Sequence, residues 1–147
     1  MNCRKVAVFI SGEGTNLQAI IDASRRKFIP IEIVLVVSNK KNIGGVKIAQ
    51  NANIPVFYLE EENKTREEYD EYLVNNCKKN EVELIILAGW MRILSKVLIN
   101  SYINKIINIH PALPGQYPGT NAIKKAYIDF QEGKIKSTGV MVHVVVE

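Results

Sequence analysis

Short apolar runs recur along the chain and are separated by segments in which apolar residues return at helical spacing. Val6-Ala7-Val8-Phe9-Ile10 has no polar interruption, as expected of a strand covered on both faces. After Ser11 to Asn16, Leu17, Ile20 and Ile21 recur with the period of an amphipathic helix. Ile31 to Val37 reads as a second strand, Gly44-Gly45 opens a helix running to about Asn51, and Ile54 to Leu59 reads as a third strand. A βαβαβ alternation requires crossover connections, and these are right-handed when the strands are parallel. The pattern therefore predicts an open, mostly parallel, Rossmann-like α/β sheet with helices on both faces.

The second half continues the alternation. Glu60-Glu61-Glu62-Asn63-Lys64 is a solvated charge run. Thr65 with Glu68 three residues on has the spacing of a capping box, and Tyr69, Tyr72, Leu73 and Cys77 give the following helix an apolar face. Leu84-Ile85-Ile86-Leu87-Ala88 is the most apolar run and is expected to be the central strand. A short helix over Ser95 to Tyr102 precedes a strand that ends near His110. A further helix starts around Thr120 to Ile123, with Ala126, Tyr127 and Phe130 on its apolar face and Gly133 as its C-cap. A last strand runs from Val140 to Glu147 and carries His143 among valines.

Composition narrows the class. A chain of 147 residues suits a single domain with a sizeable core. Its formal net charge of +4 is carried on scattered basic residues, which favours anionic ligands mildly and builds no nucleic-acid face. Cys3 and Cys77 make neither a metal pattern nor a disulfide framework, as in a reducing, cytoplasmic setting. The N-terminal run of apolar residues, Val6 to Ile10, is too short for a signal or a membrane span, so no membrane partner is expected.

Three strand-to-loop junctions carry polar residues suited to chemistry. Ser11-Gly12-Glu13-Gly14-Thr15-Asn16 stands between a strand and a helix. Glycines there let backbone N–H groups approach an anion at the helix start, although a tight turn capped by Thr15 or Asn16 uses the same residues. Asn108 and His110 lie two apart at the end of an apolar run and project from one face of a strand. The amide can donate to an oxyanion and the imidazole can move a proton, a pair suited to acyl transfer to an amine; the alternative is a strand end beginning a turn. Trp90, Met91, Ile93 and Leu94 after Gly89 are either core residues or the wall of a flat heterocycle. His143 is read as a strand histidine facing polar surface rather than as part of a site.

Asn108-Ile109-His110-Pro111 followed by Tyr117-Pro118-Gly119, with Ser11 to Gln18 and Ala88 to Leu94, resembles the folate-dependent formyltransferases, and within them the members that formylate glycinamide ribonucleotide. The resemblance implies catalytic roles for Asn108 and His110, and a substrate-phosphate loop of Ser11, Gly12, Glu13, Gly14, Thr15 and Asn16. It implies folate contacts from Arg66, Met91, Arg92 and Leu94. The formyl donor would be 10-formyltetrahydrofolate, with no metal. By itself Arg66 reads as a surface charge in the first turn of its helix; the resemblance instead sends it toward the acidic tail of folate. Members acting on sugar nucleotides or methionyl-tRNA share the Asn-x-His-Pro core but not generally the Ser-Gly-x-Gly-Thr-Asn loop.

The sequence departs from the bacterial family pattern after His110. The usual His-Pro-Ser-Leu-Leu-Pro is replaced by Ala112 and Leu113-Pro114-Gly115, which touches the shape of the loop. The resemblance also implies an acidic loop with a catalytic aspartate at positions beyond Glu147. The chain is accordingly expected to represent the N-terminal portion of the family's domain, binding nucleotide phosphate weakly and transferring formyl groups barely or not at all. A non-catalytic folate- or nucleotide-binding remnant is the alternative.

Overall fold

The computed structural model describes residues 2–147. Its elements in chain order are β1 (Arg4–Ile10), α1 (Thr15–Arg25), β2 (Ile31–Ser38), α2 (Gly44–Asn51), β3 (Val56–Tyr58), α3 (Arg66–Lys79), β4 (Leu84–Leu87), α4 (Lys96–Ser101), β5 (Ile106–His110), α5 (Ala122–Gln131) and β6 (Met141–Val144). They form one six-stranded sheet in the order β3-β2-β1-β4-β5-β6. The first five strands are mutually parallel, and β6 pairs antiparallel with β5.

β1 lies inside the sheet, between β2 and β4. Every residue from Val6 to Ile10 is 0% exposed, because its two faces serve two different layers. Ala7 and Phe9 pack with Tyr69, Leu73 and Leu98 under α3 and α4. Val6, Val8 and Ile10 pack with Leu17, Ile21 and Ala49 under α1 and α2. Burial of each large side chain is worth about 1.5–3 kcal/mol, so neither layer tolerates a polar residue in this run.

The helix and strand ends show what local chemistry decides. Thr65 and Glu68 form the reciprocal capping box, with Thr65 N donating to Glu68 Oε2 at 2.7 Å and Glu68 N to Thr65 Oγ1 at 3.1 Å. β3 is shorter than the apolar run of Ile54 to Leu59. Pro55 has no N–H to give a ladder, and only its carbonyl pairs, with Val36 N at 2.9 Å. The N-cap of α1 is Gly14 in the left-handed region, at φ 81°, not Thr15 or Asn16. The C-cap of α5 is Glu132, not Gly133, which follows one position beyond at φ 73°, with Lys134 N closing onto Asp129 O at 2.8 Å.

The expected apolar face of α5 is only partly covered. Ala126 is buried, whereas Tyr127 and Phe130 are 59% and 56% exposed. Val142 and Val144 on the outer strand β6 are exposed as well. Helical spacing correctly groups residues on one side but carries no information about whether another layer lies over them.

The two thiols give a direct check of this packing. Cys77 is buried on the inner side of α3 and its thiol is pushed up to about 12 by desolvation, whereas Cys3 is exposed. One thiol per chain is expected to react with Ellman's reagent at neutral pH in the folded protein, and both after denaturation. Two equally fast thiols in the native protein would contradict the packing of α3 on the sheet.

Candidate active site

All five parallel strands end at one edge, and strand order reverses between β1 and β4: the chain runs outward from β1 to β2 and β3, then crosses to begin again at β4. Such a reversal opens a crevice between the two departing loops, the usual ligand position of open α/β sheets. Here the two loops are tied across it. Met91 N donates to Ser11 Oγ at 3.0 Å, joining the β4 loop to the β1 loop. Ser11 is 4% exposed, so its hydroxyl sits behind the loop surface and serves first as this tie.

The loop from Gly12 to Asn16 is shaped by backbone contacts that exclude side chains. A Cβ on Gly14 would stand 2.5 Å from Gly45 Cα, and its φ of 81° is itself disfavoured for other residues. Gly45 N also donates to Gly12 O at 3.1 Å, so the start of α2 is clamped onto the β1 loop. Gly12 is different, because a Cβ there would meet nothing within 4 Å. The space over Gly12 is open, while the first turn of α1 presents backbone N–H groups with no side-chain cap among the described residues. Glu13 lies against the start of α2, its Oε2 2.6 Å from where a Cβ of Gly44 would stand. The positive end of that helix offsets the carboxylate.

Asn108 and His110 are both half-buried near the carboxyl end of β5, two apart and therefore on one face. Asn108 lies level with Leu87 of β4 and opposite His143 of β6. Its Nδ2 is 3.0 Å from His143 Nε2. His143, expected from the sequence to face polar surface, is thus half-buried and partnered with Asn108. His110 Nε2 lies 3.2 Å from the backbone oxygen of Gln116. The connecting loop is held by Tyr117 Oη donating to Asp129 Oδ2 at 2.8 Å and by Leu113 packed where Gly139 has no side chain. Ala112 is 0% exposed, so the departure from the family's serine falls at a buried, small-residue position.

The residues assigned to folate separate into two groups. Arg66, Met91 and Arg92 line one cleft of about 300 Å³ together with Glu61 and Ile93. Leu94 instead packs against the core under α3 and α4, as does Trp90, which is 8% exposed and meets Phe9 edge-on at 5.1 Å. Arg92 is already engaged: it pairs with Glu61 at 2.8 Å and its guanidinium lies 3.8 Å over the Tyr69 ring. That guanidinium, followed by the Asn39 amide, holds the Glu61 carboxyl below the usual carboxylate range. Arg92 Nε is buried and unpartnered among the described residues. Arg66, by contrast, is exposed in the first turn of α3.

Met91, 63% exposed, also borders a second cleft of about 500 Å³ that reaches Pro111, Asn121 and Tyr127. A wider concavity of about 820 Å³ lies elsewhere, among Glu60, Glu62, Glu68 and Glu71. Its carboxylates disfavour an anionic ligand, so the smaller clefts beside Met91 are the candidates. No group of three or more His, Cys, Asp or Glu among the described residues is arranged to hold a metal ion.

A switch-point crevice with a glycine-shaped loop on one side and an Asn–His pair on the other carries the groups that group-transfer chemistry uses, and comparison with known proteins gives the family. Residues 4–147 match the formyl transferase family, and the chain belongs to it. Phosphoribosylglycinamide formyltransferase of Dictyostelium discoideum is 44% identical over 97% of this chain and 76% of that protein. The trifunctional purine biosynthetic protein adenosine-3 of Drosophila melanogaster is 42% identical over 98% of this chain, which spans 11% of that much longer protein. Glycinamide ribonucleotide transformylase 1 from Symbiobacterium toebii superposes with a TM-score of 0.91 at 32% identity, covering 99% of this chain and 67% of that structure.

The glycines of the β1 loop make separable predictions. Gly12→Val is expected to keep the thermal stability of the parent, because its side chain enters open space, yet to weaken binding of a phosphate-bearing nucleotide at least tenfold. Gly14→Ala is expected to cost about 1–3 kcal/mol of stability through its backbone conformation, with the Gly45 contact adding to it. Thermal denaturation and calorimetric titration of both variants check this. A Gly12→Val protein with lowered stability and unaltered nucleotide affinity would contradict the assignment of the open space to the ligand.

Proposed function

We propose that this protein transfers the formyl group of 10-formyltetrahydrofolate to the amine of glycinamide ribonucleotide, a step of purine biosynthesis, in the cytoplasm. The single observation that carries the reading is the placement of Asn108 and His110 on one face at the carboxyl end of β5. They stand at the sheet edge where Ser11 and Met91 join the anion loop to the β4 loop. Residues 1–147 act in it as one nucleotide- and folate-binding domain.

The substrate phosphate sits over Gly12 and the start of α1, with the loop from Ser11 to Asn16 shaping its cradle. Asn108 directs an amide N–H at the formyl oxygen as that oxygen gains negative charge. His110 accepts the proton that the attacking amine loses and returns it to the folate nitrogen as the old C–N bond breaks. One C–N bond forms, one breaks, and the proton count balances. Arg66, exposed at the 300 Å³ cleft, meets the acidic tail of folate, while Met91 and Arg92 line the approach and Leu94 supports it from the core. Small-molecule substrates are the only partners this reading needs.

A second reading, ligand binding without turnover, is favoured by the contact of His110, whose ring nitrogen faces the main-chain oxygen of Gln116 rather than a carboxylate. In the serine-protease triad, neutralising the orienting acid lowers turnover on the order of 10⁴-fold. The two readings part in a formyl-transfer assay with glycinamide ribonucleotide, an amino-sugar nucleotide and methionyl-tRNA as acceptors, with substrate binding measured alongside. Transfer to glycinamide ribonucleotide alone is expected. Asn108→Ala should lower kcat by about 10²–10³, the usual loss for one oxyanion donor, with little change in nucleotide affinity. Binding of both ligands with no transfer would select the second reading, and preference for either other acceptor would overturn the first.

A further inference from the structure

We infer that His143 is a positioning residue that fixes which way the Asn108 amide faces, acting as its Nδ1–H tautomer while His110 carries its proton on Nε2. The argument uses only which atoms can donate. His143 Nδ1 lies 3.2 Å from the backbone oxygen of Val144. A carbonyl oxygen only accepts, so this ring nitrogen carries the hydrogen. In the neutral ring Nε2 is then a bare lone pair, and the group 3.0 Å from it is the Asn108 Nδ2 amide, a donor. Each bond supports the other: the Val144 oxygen selects the tautomer, and the tautomer demands an N–H from Asn108.

The amide has two hydrogens on Nδ2. One is spent on His143, and the second remains to be donated to another acceptor. Were the His143 proton on Nε2 instead, the amide would have to turn over and offer Oδ1 to the ring, carrying its NH₂ to the other side. The antiparallel register places Asn108 and His143 opposite one another, so the contact is built into the β5–β6 pairing. His110, at the end of the same strand, has the reverse arrangement. Its Nε2 lies 3.2 Å from Gln116 O and must donate, which leaves Nδ1 as the atom able to accept a proton.

The inference deepens the reading of Asn108 as oxyanion donor and rests on it for its consequence in turnover, while the tautomers can be read without any turnover. Long-range proton–nitrogen NMR correlations on the 147-residue protein, taken at the high-pH plateau, are expected to show Nδ1 protonated in His143 and Nε2 protonated in His110. His143 protonated on Nε2 would overturn the inference. His143→Leu removes the acceptor and is expected to shift the Asn108 side-chain NH₂ resonances and to lower kcat about tenfold, the scale of one hydrogen bond, with the KM for the nucleotide unchanged. His143→Gln, whose amide oxygen can accept from Asn108, should restore part of the loss. Unaltered Asn108 resonances in a folded His143→Leu protein would refute the positioning role even if the tautomers were as stated. If no acceptor is formylated, the proposed activity fails on its own, and the NMR measurements still decide this point.

Discussion

β1 has to be apolar on both faces, and most of the architecture follows from that requirement. A strand that runs parallel to its neighbours, as β1 does to β2 and β4, connects onward by crossovers, and these return every loop of the parallel strands to the same edge. Val6 to Ile10 meet the requirement completely, splitting their side chains between two layers that share no other strand so fully. The Ser11–Met91 hydrogen bond then closes the gap that the reversal of strand order opens at that edge. The site is thus a by-product of sheet topology, refined by one tie between loops.

Charge is distributed sparingly around this edge. The β1 loop presents the backbone N–H groups at the start of α1, and Glu13 within it is turned onto the start of α2. In the neighbouring cleft Arg92 is paired with Glu61 and stacked on Tyr69, while Arg66 on the same cleft is exposed in the first turn of α3. The two arginines therefore differ in kind: one is engaged in the wall of the cleft and the other is exposed at its rim.

Much of this was legible in the sequence, for reasons that can be named. The doubly buried strands leave uninterrupted apolar runs, and the capping box of α3 is a purely local device, so both could be read from residue order. Asn108 and His110 share a face because strand geometry has a period of two. What the sequence could not convey depends on pairing between distant segments. The partner of β6 is chosen by the sheet, so nothing near His143 announced that it would face Asn108. The Arg92–Glu61 pair and the Ser11–Met91 tie likewise join separate loops. Trp90 and Leu94 read as core or as ligand wall from the sequence; packing places Trp90 in the core and the half-buried Leu94 against it. For Gly14 the loop pattern was visible, but its close contact with Gly45 required the position of α2.

The central claim is that one ligand spans this edge, with its phosphate on the β1 loop and its amine beside β5. A crystal structure of the protein with glycinamide ribonucleotide tests it most directly. The account predicts phosphate oxygens within hydrogen-bond distance of backbone N–H groups between Gly12 and Asn16, and the glycinamide amine directed at Asn108 and His110. Phosphate density remote from Gly12 and Gly14, or an amine pointing away from β5, would contradict it.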